Sequence, residues 1–216
     1  MPLRLRQIQQ RKAARSCKEQ DPALLSESVS LLADLHNDLT VLKNFDGTPR
    51  KVAYKKERIG HYMPWVKGLI EGDQGHEDKI LQHMLVWSID ICDIDQFLMI
   101  AEYMAKHELN PPFETKLASF VSDNAREQIA TMTIDEALAI ESFLSDKDVN
   151  EKTHAQFLRL LGEKLLETDE PTIEVAEEVE EFWARALELD QDVGVKTKLK
   201  ALTKSIEERK ASETAE

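Results

Sequence analysis

Apolar side chains recur along this chain at steps of three and four residues, the repeat of a helix face. The clearest row is Leu25, Val29, Leu32, Leu35, Leu39 and Leu42, a heptad-like seam. A second row, Leu24, Leu31 and Leu42, widens the stripe. Asp21 can cap the free amides of such a helix, and Pro22 suits its first turn. Two rows on one helix point to more than one neighbour. The seam serves either to pack the helix within its own domain or to join copies of the chain.

The stretch from Asn44 to Pro49 reads as a turn. A basic helix follows it to about residue 59. The run from His61 to Ile70 opens a compact helical unit, with a polar turn at Glu71 to Gly75. The next helix is expected from about Glu77 to Cys92, carrying Ile80, Leu81, Met84, Leu85, Trp87 and Ile91. Asp93 can cap another, which carries Phe97, Leu98, Ile100, Ala101 and Met104 and stops before Pro111-Pro112. Two more are expected at Glu114–Thr131 and Ile134–Leu144. Ser145 to Asn150 reads as a linker. Three final helices are expected at 152–167, 172–189 and 192–209. Leu161-Gly162 and Phe182 to Asp190 resemble the two helices of a tetratricopeptide repeat, with a longer gap and Gln191 in place of the usual Pro.

This pattern predicts an all-α, multi-helix protein. Its expected parts are a basic arm (1–20), a helix-turn-helix-like segment for DNA binding and oligomerisation (21–59), a central helical domain (60–148), a repeat-like helical module (149–210) and a tail (211–216). Composition agrees. Seven Gly and seven Pro in 216 residues are too few turn-formers for a sandwich or barrel. Cys17 and Cys92 offer no disulfide framework and no zinc spacing, which fits a reducing compartment. No apolar run reaches the length of a membrane span, and the basic N-terminus lacks the apolar stretch of a signal peptide. A membrane partner is therefore not expected.

Charge changes the picture more. The net charge is −13, yet residues 1–67 hold 13 basic and 7 acidic side chains, and the remainder holds 15 and 34. Such polarity suggests a polyanion-binding end on an acidic body. The plainer reading is a solvated arm. The candidate DNA contacts are Arg4, Arg6, Arg11, Lys12 and Arg15 in the arm and Arg50, Lys51, Lys55, Lys56 and Arg58 after the turn. Lys51, Lys55 and Arg58 share one helical face. The candidate oligomerisation residues are the seam positions Leu25, Val29, Leu32, Leu35, Leu39 and Leu42.

Chemistry is harder to find. There is no P-loop and no GxGxxG. His76 and His83 stand two helical turns apart, about 10 Å along the axis, too far to converge on a metal. Asp90, Asp93 and Asp95 form an acidic knot, read as helix caps before metal ligands. No catalytic residue, metal or cofactor is assigned. Eight acidic side chains between Glu167 and Glu181, with no basic one, form a solvated face or a dock for a basic partner.

The order His61-Tyr62-Met63-Pro64-Trp65-Val66-Lys67-Gly68-Leu69-Ile70-Glu71, then Asp78 to Trp87, then Asp90-Ile91-Cys92-Asp93-Ile94 and Ala101-Glu102-Tyr103-Met104-Ala105, resembles the gpM-type small terminase subunit of temperate tailed bacteriophages. The resemblance covers these fifty residues best and most of the chain more loosely. It implies a part in viral genome packaging in the cytoplasm of the infected host, outside the mature virion. It implies binding to viral double-stranded DNA, self-assembly into a ring, and recruitment of the large terminase subunit that carries the ATPase. Many members end in a long basic tail, whereas this chain ends in Lys210-Ala211-Ser212-Glu213-Thr214-Ala215-Glu216. The family carries an endonuclease-subunit label. With no nuclease constellation in view, any cutting is expected to belong to the complex. The alternatives are a helical scaffold that binds only protein and, further off, a metal-dependent nuclease.

Overall fold

A computed structural model describes residues 22–167 and 171–213. Among them are nine helices and no strand, the expected all-α fold. They are α1 (Pro22–Lys43), α2 (Thr48–Gly72), α3 (Lys79–Asp90), α4 (Ile94–Lys106), α5 (Leu117–Gln128), α6 (Ile134–Leu144), α7 (Glu151–Leu165), α8 (Ile173–Leu189) and α9 (Lys196–Glu213). The chain divides into two compact units, Met1–Tyr54 and Lys55–Glu216.

In the first unit, α1 buries Leu31, Leu35, Asp38 and Leu42, which recur at steps of four, three and four. The Asp38 carboxylate is kept satisfied by the Tyr54 hydroxyl, which donates to Oδ1 at 2.7 Å. Phe45 meets the Tyr54 ring edge-on, with centroids 5.7 Å apart. These contacts close the corner between α1 and the first turns of α2.

The second unit is a set of stacked helical hairpins. Helix α3 packs on α4, α5 on α6 and α7, α7 on α8, and α8 on α9. Most helix starts are written locally. Asp78, Asp93, Thr133, Asn150 and Thr172 each accept a hydrogen bond from the backbone amide three residues on. Thr133 and Glu136 form a reciprocal capping box.

Helix α2 departs from the expected break near residue 60. It runs unbroken through Pro64, although an internal proline costs about 3 kcal/mol. Ile59, Tyr62, Met63 and Val66 are buried on either side of it. Burying four such side chains, at about 1.5–3 kcal/mol each, outweighs that cost.

The loop after α2 is pinned by α4. The Tyr103 hydroxyl accepts from the Gly75 amide at 3.0 Å. Gly75 has φ of 66°, and a Cβ there would lie 2.5 Å from His107 Nδ1, so two independent reasons demand glycine. Lys106 and His107 lie 2.6 and 2.7 Å from Asp73 and hold its carboxyl below the ordinary range. No helix among the described residues is long and apolar enough to cross a membrane.

Candidate nucleic-acid interface

The arm residues Arg4, Arg6, Arg11, Lys12 and Arg15 lie outside the described residues, as do the side chains of Leu24 and Leu25. The second basic cluster begins α2, and burial sorts it. Arg50 and Lys56 are exposed, and Lys51 and Arg58 are half-buried. Lys55 points along the stripe that Ile59, Tyr62 and Val66 bury, and its ammonium is held by Asp90. A side chain already paired with a carboxylate has little attraction left for a phosphate. Lys56 lines a shallow depression together with Cys92, Asp93, Asp95 and Glu136. The local field there is therefore mixed in sign.

His83 stands half-buried on α3. Burial, and after it the charges of Lys55 and Lys79, hold its imidazole below the ordinary range. It stays neutral at pH 7 and adds no positive charge.

The acidic knot proves to be three separate fixtures. Asp90 holds Lys55. Asp93 Oδ1 accepts from the Gln96 amide at 3.1 Å and caps α4. Asp95 is an exposed first-turn residue of α4, where it favours the helix dipole. Among the described residues no cluster of His, Cys, Asp and Glu converges as a metal site would.

The seam positions divide in the same way. Leu35 and Leu42 are buried and Leu39 half-buried, whereas Val29 is 67 % and Leu32 36 % exposed. Leu31 and Asp38 replace Val29 and Leu32 on the buried face. Among the described seam positions, Val29 and Leu32 offer the most apolar area to another molecule.

The residues that carry the family resemblance serve the fold. Trp65 Nε1 donates to Asp78 Oδ2 at 3.2 Å, while Asp78 Oδ1 accepts from the Leu81 amide at 2.9 Å. One carboxylate thus caps α3 and ties it to α2. Trp87 is buried edge-to-face against Tyr62, with centroids 5.8 Å apart. The tight connection from α3 to α4 puts Cys92 at φ of 57° and closes with an Asp93 amide bond to the Ser88 carbonyl at 2.9 Å. The pattern Trp-Val, Trp, Asp-x-x-Asp is a description of how α2, α3 and α4 are locked together.

Residues 32–156 match the model of the phage small terminase subunit family. The chain belongs to that family. It is 27 % identical over 188 residues to the "terminase, endonuclease subunit" of Escherichia phage P2, covering 82 % of this chain and 73 % of that protein. It is 26 % identical over 200 residues to the "probable terminase, endonuclease subunit" of Haemophilus phage HP1 (strain HP1c1), covering 79 % and 70 %. No solved structure matches. Membership supports a role for this small terminase in phage DNA packaging. The matched stretch runs from α1 to the first turns of α7, so α8 and α9 lie beyond it.

Proposed function

We propose that this small terminase is a packaging adaptor: it binds viral double-stranded DNA through its basic N-terminal region, assembles with copies of itself into a ring, and recruits and regulates the large ATPase and nuclease subunit. It works in the cytoplasm of the infected host. The observation that carries the reading is the charge polarity of a chain in a packaging family, 13 basic against 7 acidic residues through Lys67 and 15 against 34 beyond it. The DNA contacts are Arg4, Arg6, Arg11, Lys12 and Arg15 of the arm with Arg50, Lys51, Lys56 and Arg58. Lys55 takes the weaker part because Asp90 already holds it. The acidic second part docks the large subunit, along α8, where Glu174, Glu181 and Glu188 are exposed at steps of seven. Cutting belongs to the assembled complex.

Affinity measured against salt tests the DNA half. One variant lacks residues 1–18, and the other carries Arg50→Ala, Lys51→Ala and Lys56→Ala. Lys55 is left in place so that Asp90 keeps its partner. Each phosphate no longer neutralised should flatten the salt slope by about 0.9, so the triple variant flattens it by up to about 2.7. If both variants bind duplex DNA as the parent does, the basic end is only a solvated arm and the protein-scaffold reading replaces this one.

Self-assembly has its own test. Val29→Asp with Leu32→Asp places charge on the exposed end of the seam, where the fold of the single chain does not need them. The parent should form a particle of several copies at micromolar concentration, and the variant should fall to a monomer with its helix content intact. A monomeric parent, or a variant of unchanged mass, sinks the seam as the joint.

A further inference from the structure

The outer side of α9 carries a basic ridge that the overall acidity of the chain conceals. From Val193 to Ile206 there are four lysines and no acidic residue. Lys196, Lys200 and Lys204 follow at steps of four and all are exposed. The opposite side of the helix faces α8: Ile206 is buried, Leu199 and Leu202 are half-buried, Thr203 bonds Glu180, and Lys210 pairs with Glu177. The fourth lysine, Lys198, is exposed but pairs with Glu163 of α7 at 2.7 Å. Among the described residues, neither Lys196 nor Lys200 has a carboxylate within ion-pair distance. Lys204 has only Glu208, 3.4 Å away and itself exposed, the kind of pair that contributes little.

We propose that this ridge is a second contact for the phosphate backbone of DNA. The proposal rests on the DNA-binding reading above and adds a surface that lies beyond the stretch matched by the family model. Three lysines at about 6 Å steps span about 12 Å, the axial length of three or four phosphates on one strand at about 3.4 Å each. The residue after each of them, Thr197, Ala201 and Ser205, is small and exposed. A protein partner would want an aromatic, arginine or large apolar anchor at the centre of its footprint. Among the described residues, the large apolar side chains left exposed are Val29, Leu32 and Phe113, none of them on α9. A contact made of point charges without an anchor suits a uniform polyanion. The carboxylates of Glu174, Glu181 and Glu188 on α8 repel phosphates, so the duplex is confined to the outer flank of α9. Contacts at α9 and at the basic N-terminal region would act together in an assembly, raising affinity beyond either alone.

The test uses the full chain, a generic duplex as probe, and salt from 50 to 200 mM. The variant carries Lys196→Gln, Lys200→Gln and Lys204→Gln. Its melting temperature and particle mass should match the parent, since all three side chains are exposed. The magnitude of its salt slope should fall by about 2 to 3, with affinity at 50 mM salt at least tenfold weaker. Lys196→Arg, Lys200→Arg and Lys204→Arg together should restore both. A glutamine variant that binds like the parent overturns the ridge. If the N-terminal variants still lose affinity in that case, the DNA-binding reading stands without it. A glutamine variant that keeps duplex binding but loses the large subunit makes the ridge a protein surface and also overturns the proposal. A parent that binds no duplex removes both readings at once.

Discussion

Replacing Glu141 with alanine should lower the stability of the second unit by about 2–4 kcal/mol, the cost of leaving the buried imidazole of His154 and the partly exposed guanidinium of Arg185 without their hydrogen-bond partner. Glu141 is 5 % exposed and His154 3 %. One carboxylate oxygen lies 2.9 Å from His154 Nε2 on α7, and the other accepts from Arg185 Nη1 on α8 at 2.9 Å. Arg185 Nη2 also donates to the Ser145 carbonyl at the end of α6, at 3.1 Å. A single side chain therefore joins three helices across the 145–150 connection. For a unit of this size the melting temperature should drop by roughly 4–16 °C. Glu141→Gln keeps an acceptor for Arg185 and a donor for the imidazole, so its loss should be nearer about 1 kcal/mol. Chemical denaturation of both variants checks this. An alanine variant within about 1 kcal/mol of the parent would mean that water replaces the carboxylate and that the cluster is ornamental. The same geometry bears on truncation. Cutting the chain at Asn150 removes both partners of Glu141 and the helix that α5 packs on, so a test of large-subunit docking needs surface substitutions on α8.

Gly162→Ala should destabilise, and the sign of the effect is the point. On an open helix face the change would add up to about 1 kcal/mol, because glycine is the poorer helix former. At this position a Cβ would sit 2.3 Å from Trp183 Nε1 and within 3.0 Å of two more indole atoms. Trp183 is buried, and its Nε1 donates to the Arg159 carbonyl at 3.2 Å. The indole is rigid and has no flexible end to withdraw. Either α7 and α8 move apart, or the ring turns and gives up its hydrogen bond. We expect a net loss of about 1–3 kcal/mol. Trp183→Phe combined with Gly162→Ala should recover part of it, which a double-mutant cycle on melting free energies measures. A stabilised single variant would show that the two helices do not approach as closely as described.

Much of the architecture was legible in the sequence because it is local. Asp93 is legible as a cap from the sequence, and Asp78, Thr133, Asn150 and Thr172 start helices in the same local way, each accepting from an amide three residues ahead. Pro111, Pro171 and the Asp190 to Asp192 turn punctuate just as locally. The family resemblance was legible for a related reason. Its motif consists of caps and buried aromatics whose spacing the fold itself demands.

The candidate interface was less legible because periodicity names faces without saying which face is covered. The seam from Leu25 to Leu42 and the sparser row of Leu24, Leu31 and Leu42 both lie on α1. Tertiary packing chose the row through Leu31, Leu35, Asp38 and Leu42 and left Val29 and Leu32 outside. Lys51, Lys55 and Arg58 do share a helical face, yet the packing of α2 makes it a half-buried one and gives Lys55 to Asp90. On α9 the reverse holds. The lysines were hidden in an acidic average until packing against α8 turned three of them outward and set Lys198 and Lys210 beside Glu163 and Glu177.

The amino-acid sequence alone determined that this chain is helical, where most helices start, that its charge is polarised, and which family it resembles. Each of these depends on neighbours in sequence or on composition. Only the tertiary structure decided that α2 passes through Pro64, that Glu141 binds two helices not its own, that Gly162 must lack a side chain, and which cations face solvent. Those outcomes depend on burial, and burial is set by residues from 13 to 44 positions away whose approach no local pattern encodes.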